Sequence, residues 1–257
     1  MSAPAGTIDL HGRVVFITGG SRGIGAAAVR ALHRAGAAVF FTYRERTGDA
    51  RALRDELGER VEPYRLDVAQ TEALQPALDA CAARYGERLD VLINNAAIFA
   101  DNPFDGDDFA AWRAGWRRTF DVNLFAAADL AYLAMRRMRA QGEGTIVNVA
   151  SRAAHRGELT YADYGASKAA LVNLTKSIAR SCAPHGIVAI AIAPGFVATD
   201  MVTASMDEHG AAISGEVPLG RIGDAEEVAH AIAFACTPLA RYLNGSTIDL
   251  NGGSYVR

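Results

Sequence analysis

Short runs of apolar and β-branched residues recur at 14–18, 38–43, 61–66, 89–93, 145–149, 187–192 and 247–250, each about as long as one strand. They are apolar throughout rather than alternating, as parallel strands covered by helices on both faces must be. Between them the spacing turns helical, as over 25–35, 72–85, 109–139 and 164–183, with Gly or Pro at many of the ends. Strand and helix in turn predict βαβ units, hence an α/β fold with a doubly wound parallel sheet. No repeat, low-complexity tract or long linker divides residues 1–257, so a single domain is expected. One stretch fits poorly: 196–222 has scattered apolar residues among Gly210, Gly215, Pro218 and Gly220, and reads as a substrate lid or as an ordinary irregular loop.

Composition narrows the classes. Half of the 257 residues are hydrophobic, enough for a large core, and a net charge of -3 without a long basic run argues against a nucleic-acid or anionic-membrane partner. Cys81, Cys182 and Cys236 lie far apart with no C-x-x-C pair, so neither a disulfide framework nor a metal site is implied. Residues 1–10 lack the basic-then-apolar pattern of a signal, and no apolar run approaches the roughly 18 to 20 residues of a membrane span. A soluble cytoplasmic protein is expected.

The first strand runs straight into Gly19-Gly20-Ser21-Arg22-Gly23-Ile24-Gly25 and an Ala-rich helix. That is where a phosphate cradle belongs: the glycines let backbone approach a pyrophosphate, and the helix N-terminus supplies donors and the positive end of its dipole. The fold expected is therefore a Rossmann fold binding a dinucleotide. At the tip of the second strand, Thr42-Tyr43-Arg44 has no acid at Tyr43, and Arg44 with Arg22 suits a 2′-phosphate. This favours NADP (NADPH) and leaves NAD open, since Glu45 is the alternative reader of the ribose.

Ser151 closes the fifth strand, Tyr164 follows thirteen residues later, and Lys168 stands four beyond Tyr164 on the same helix face. A phenol of pKa about 10 is a slow acid or base at neutral pH, and a neighbouring cation stabilises its phenolate. Carbonyl reduction needs such a pair. Taken alone, a Tyr-x-x-x-Lys spacing also arises from simple packing.

Together these residues resemble the short-chain dehydrogenase/reductase family, whose T-G-x-x-x-G-x-G, N-N-A-G, Asn, Ser and Y-x-x-x-K motifs recur here in order from about residue 13 to 253. The resemblance implies an oxidoreductase interconverting a carbonyl and a secondary alcohol. It makes Tyr164 the general acid/base, Ser151 the partner of the substrate oxygen, and Lys168 both a ribose ligand and the group that lowers the Tyr164 pKa. Asn123 would hold a relay water. Cofactor contacts would come from Gly19, Ser21, Arg22, Gly23, Ile24, Gly25, Tyr43, Arg44, Asp67, Val68, Asn95, Tyr164, Lys168, Pro194, Val197 and Thr199. Ala97 departs from the family's usual Gly and adds one methyl group.

Other residues have plainer readings. Tyr161 has Gly165 at its i+4 position and reads as a pocket wall, and His155 as a loop histidine. Trp112, Trp116, Phe120 and Leu124 recur at helical spacing as packing or subunit contacts, and Arg136, Arg137 and Arg139 as a solvated helix end. Within the family the nearest resemblance is to 3-oxoacyl-acyl-carrier-protein reductases, through 18–25, 194–201, Asn244-Gly245 and Asn251-Gly252-Gly253. It implies a homotetramer and a 3-oxoacyl thioester or similar β-keto substrate held by apolar lid residues, among them Met201, Val202, Met206 and Ile213. Gly142 and His185 stand where carrier-docking arginines would be expected. Alternatives are a cyclic or aliphatic ketone, and a non-catalytic dinucleotide sensor, which would be expected to have lost part of the Asn123, Ser151, Tyr164 and Lys168 set.

Overall fold

The computed structural model describes residues 8–199 and 215–257. Among them seven strands form one sheet in the order β3-β2-β1-β4-β5-β6-β7, with every neighbouring pair parallel. The strands are β1 (Val14–Ile17), β2 (Ala38–Tyr43), β3 (Val61–Arg65), β4 (Val91–Asn94), β5 (Gly144–Val149), β6 (Ile187–Pro194) and β7 (Thr247–Leu250). The predicted doubly wound sheet is therefore present.

Helices cover both faces. The helices α1 (Gly23–Arg34) and α2 (Thr47–Leu57) pack on one face with α7 (Ala225–Ala235). The other face takes α3 (Thr71–Arg84), α5 (Ala126–Gln141) and α6 (Ala162–Cys182). Side chains alternate across the sheet, so Val15 and Ile17 enter one core and Val14 and Phe16 the other. Phe16 stacks on Phe40 with ring centroids 5.6 Å apart. Polar side chains set the register of the second layer: Asn94 Nδ2 donates to Asn148 Oδ1 at 2.9 Å, and Asn148 Nδ2 to Thr175 Oγ1 on α6 at 2.8 Å.

The long helix predicted over 109–139 is present, with its hydrogen-bond ladder interrupted once. Between α4 (Phe109–Phe120) and α5 lies a π turn, Asp121–Phe125, in which the Ala126 N–H reaches back to Asp121 O. Such turns insert one residue without ending the helix. The apolar spacing continues through it, which is why the pattern reads as unbroken.

The connections reverse direction between β1 and β4. In open α/β sheets the crevice outside the carboxyl ends of the strands at such a switch point holds the ligand. Residues 200–214, which include Met201, Val202, Met206 and Ile213 of the expected lid, lie outside the described residues. The flanks of that segment are joined, with Gly223 N donating to Phe196 O and Ala198 N to Gly223 O, both at 2.9 Å. Among the described residues no helix is long and apolar enough to cross a membrane, and no His, Cys, Asp and Glu cluster could hold a metal. All three cysteines are buried free thiols.

Candidate active site

The glycine loop is held from β4. Thr18 Oγ1 accepts from the backbone N–H groups of Asn95 and Ala96, each at 3.0 Å, and Asn95 Nδ2 donates to Thr18 O at 2.9 Å and Gly19 O at 3.0 Å. Thr18 is the first residue of the T-G-x-x-x-G-x-G motif, and its partners across β4 are what the sequence did not show. Two glycines have no substitute here. Gly19 has φ +67°, and a Cβ on Gly25 would fall on the Gly19 carbonyl oxygen. Arg22, at the N-cap of α1, is extended and gives no side-chain cap, so the first-turn donors point outward uncapped.

A cavity of about 580 Å³ runs past this loop across the carboxyl ends of the strands. By strand order Asp67, Val68, Tyr43 and Arg44 line one end, the glycine loop with Arg22 and Asn95 the middle, and Ser151, Tyr164, Lys168, Pro194, Val197 and Thr199 the other. Every cofactor residue proposed from the sequence lines it. Asn123 does not; its Oδ1 accepts from Ile98 N at 2.9 Å, and its Nδ2 donates to Ile98 O at 3.0 Å and Ser167 Oγ at 3.2 Å. It stands behind the cavity and ties the π turn to the loop after β4 and to α6.

The catalytic candidates meet at the inner end. Ser151 caps the short turn Arg152–Ala154, its Oγ accepting from Ala153 N at 3.1 Å, and it lines the cavity with Tyr164. One turn along α6, Lys168 is 2 % exposed and its Nζ donates to Val149 O at 2.7 Å. Asp163, fully buried, fixes the start of α6 by accepting from Thr119 Oγ1 at 2.7 Å, Asn102 Nδ2 at 3.2 Å and Tyr164 N at 2.8 Å. Phe99 sets its edge against Tyr164, centroids 4.9 Å apart, and stacks on Tyr161 at 3.9 Å, so Tyr161 is a wall of the cavity. His155 faces Tyr255 instead, at 6.1 Å.

Burial pushes the Tyr164 phenol up to about 12, with Ser151 acting the other way. Burial also brings Lys168 down to about 7, and its Nζ, donating to Val149 O, stands over the Tyr164 ring 5.7 Å from the centroid.

The cavity fits a dinucleotide. It has a cradle that a single Cβ would fill, arginines at one end, and at the other a buried amine with one protein acceptor for its three protons.

The family described as Enoyl-(Acyl carrier protein) reductase matches residues 19–255. The 3-oxoacyl-acyl-carrier-protein reductase of Vibrio cholerae is 36% identical over 249 residues, covering 97% of this chain and 100% of that protein. That of Escherichia coli is 35% identical with the same coverage. Among solved structures, a putative gluconate dehydrogenase from Agrobacterium tumefaciens superposes with a TM-score of 0.89 at 31% identity, covering 97% of this chain and 99% of that one.

Lys168 carries a pH prediction. Its pKa falls from 10.5 to about 7 on folding, so between those values the unfolded chain holds the extra proton and stability rises with pH. In denaturant unfolding from pH 7.5 to 10, the wild type should gain on Lys168→Met by up to about 1.4 kcal/mol per pH unit. Parallel curves would show that the amine is not desolvated.

Proposed function

The chain belongs to the short-chain dehydrogenase/reductase family, and from that premise we propose that it reduces a carbonyl with NADPH, Tyr164 giving the proton to the oxygen. That it is an oxidoreductase using a nicotinamide dinucleotide and acting between carbonyl and alcohol follows from the family. What supports the rest is that Ser151, Tyr164 and Lys168 line the same cavity as the glycine loop, with the buried Lys168 one turn along the helix from Tyr164.

The bound dinucleotide supplies the hydride. The residues of the chain hold and orient. Glycine-loop N–H groups at the start of α1 take the pyrophosphate, with Ser21, Gly23 and Ile24 in the cradle, and Asp67 and Val68 flank the adenine. Lys168 offers its remaining protons to ribose hydroxyls, and Pro194, Val197 and Thr199 border the nicotinamide. Ser151 Oγ and the Tyr164 hydroxyl hold the substrate oxygen from two sides, and the phenol donates its proton as negative charge develops there. A phenol held up by burial starts protonated, which suits reduction. Asn123 has its side chain committed to Ile98 and Ser167, and it supports the relay by fixing the π turn behind the cavity.

For the cofactor, Arg44 and Arg22 are the 2′-phosphate ligands. Arg44 is paired with Glu45 at 2.5 Å, but both are well exposed and such a pair is worth little, so a phosphate competes for the guanidinium. The substrate is a 3-oxoacyl thioester or another medium-sized β-keto compound, supported by the names of the relatives and by the aromatic wall of Phe99 and Tyr161. A free thioester suits the chain better than one on a carrier protein. Gly142 caps α5 at φ +74°, where an arginine would be strained, and His185 occupies the second position. A cyclic or aliphatic ketone is the second reading, since the gluconate-dehydrogenase-like neighbour shares the fold. We also propose a homotetramer, supported by the exposed Phe104, Phe109, Phe125 and Tyr132 on and beside α4 and α5.

Tyr164→Phe keeps ring and helix and loses the ionisable hydroxyl. NADPH should still quench or enhance fluorescence on binding, and carbonyl reduction should fall below a tenth of wild type; a faster variant removes Tyr164 from the role. Steady-state rates should show a lower KM for NADPH than for NADH, with Arg44→Asp reversing the preference. A wild type that prefers NADH transfers the ribose to Glu45. Light scattering at micromolar protein should return four times the chain mass, and a monomer mass refutes the assembly.

A further inference from the structure

Arg152 is a cation in a place that offers it little. It follows Ser151 directly, lines the catalytic cavity, and has a side chain only 4 % exposed. Its guanidinium carbon lies 4.0 Å from the centroid of the Phe196 ring, and Nη2 donates to Glu216 Oε2 at 3.3 Å. Nη1 is shielded from water and, among the described residues, has no hydrogen-bond partner.

A buried donor left unmade is costly, and more so on a charged group. Support for Phe196 alone does not explain an arginine, because an apolar side chain of similar length would stack there without the desolvation cost. The formal charge is already answered. Glu216 Oε2 also accepts from Arg156 Nη1 at 3.4 Å, and Arg156 Nε stands 3.6 Å from Glu158 Oε1, so two cations face two anions. What Nη1 lacks among the described residues is an acceptor, not a counter-charge, and the cavity that Arg152 lines with Ser151 and Tyr164 is where a ligand could bring one.

We propose that Arg152 determines substrate specificity by donating from Nη1 to a second, uncharged oxygen of the substrate near the reacting carbonyl, as in a β-keto ester or thioester. Ser151 and Tyr164 hold the oxygen that is reduced; Arg152 reads the other. The inference rests on the carbonyl-reductase reading. A site built around such a donor discriminates against an analogue that lacks the acceptor, since the donor is then left buried and unpaired.

The test compares initial rates with NADPH on ethyl acetoacetate, on 2-heptanone, which lacks the second oxygen, and on acetoacetate, in wild type, Arg152→Met and Arg152→Lys. The wild-type kcat/KM for ethyl acetoacetate should exceed that for 2-heptanone by about tenfold to a hundredfold. Arg152→Met should bring the ratio close to one, and Arg152→Lys should leave it between. A wild-type ratio near one, or a Met variant that lowers both substrates in proportion, overturns the proposal and leaves Arg152 a strut. Acetoacetate outrunning the ester tenfold overturns the uncharged oxygen in favour of a carboxylate. The catalytic reading fails separately, if 2-heptanone turnover survives Tyr164→Phe.

Discussion

The ammonium of Lys168 has almost no water, and the site is organised around satisfying it. It ranks in size and burial with Phe16, Phe40 and Phe41, side chains that belong in a core. An amine there must find acceptors or give up its proton, and the protein gives it one, the carbonyl of Val149 at the end of β5. The same residue count that brings Lys168 over that carbonyl places Tyr164 one turn earlier, against Ser151 two residues beyond Val149. Helix α6 can take only a position that serves both. Asp163 accepts at its first turn and the Asn94–Asn148–Thr175 chain further along, so the position is set at both ends.

The sheet does for the dinucleotide what α6 does for the proton. Because β1 and β4 are neighbours, the loop after one is within reach of the loop after the other, and Asn95 and Thr18 bind them reciprocally. That clamp fixes the Gly19 carbonyl, against which Gly25 sits with no space for a side chain. Phosphate binding at the start of α1 thus depends on contacts made from a strand more than seventy residues away.

Along the cavity the chemistry changes. Exposed arginines mark one end, where charge is cheap and screened; the far end joins the aromatic pair Phe99 and Tyr161 to a buried cation, where a single missing acceptor matters. Low dielectric raises the stakes of each polar group there. The same desolvation that pushes the Tyr164 pKa up raises the cost of leaving a donor of Arg152 unpaired.

Local pattern was enough for much of this. A strand that runs into glycines and then a helix, or a Ser with Tyr thirteen and Lys seventeen residues on, is written in contiguous sequence, because backbone geometry carries those spacings directly into space. Apolar periodicity likewise gave the strands within a residue or two at most ends. The π turn at Asp121–Phe125 was hidden, since one added residue in a helix leaves its polar and apolar composition unchanged. So were the partners of Thr18 and Asp163 and the placement of Asn123 behind the cavity, all set by residues distant in sequence. Tertiary structure alone decided the burial that pushes the Tyr164 pKa up and, among the described residues, the unpartnered nitrogen of Arg152. Burial is a property of what the rest of the chain packs around a group, and desolvation grows with it, so no spacing of residues could have shown which effect would win.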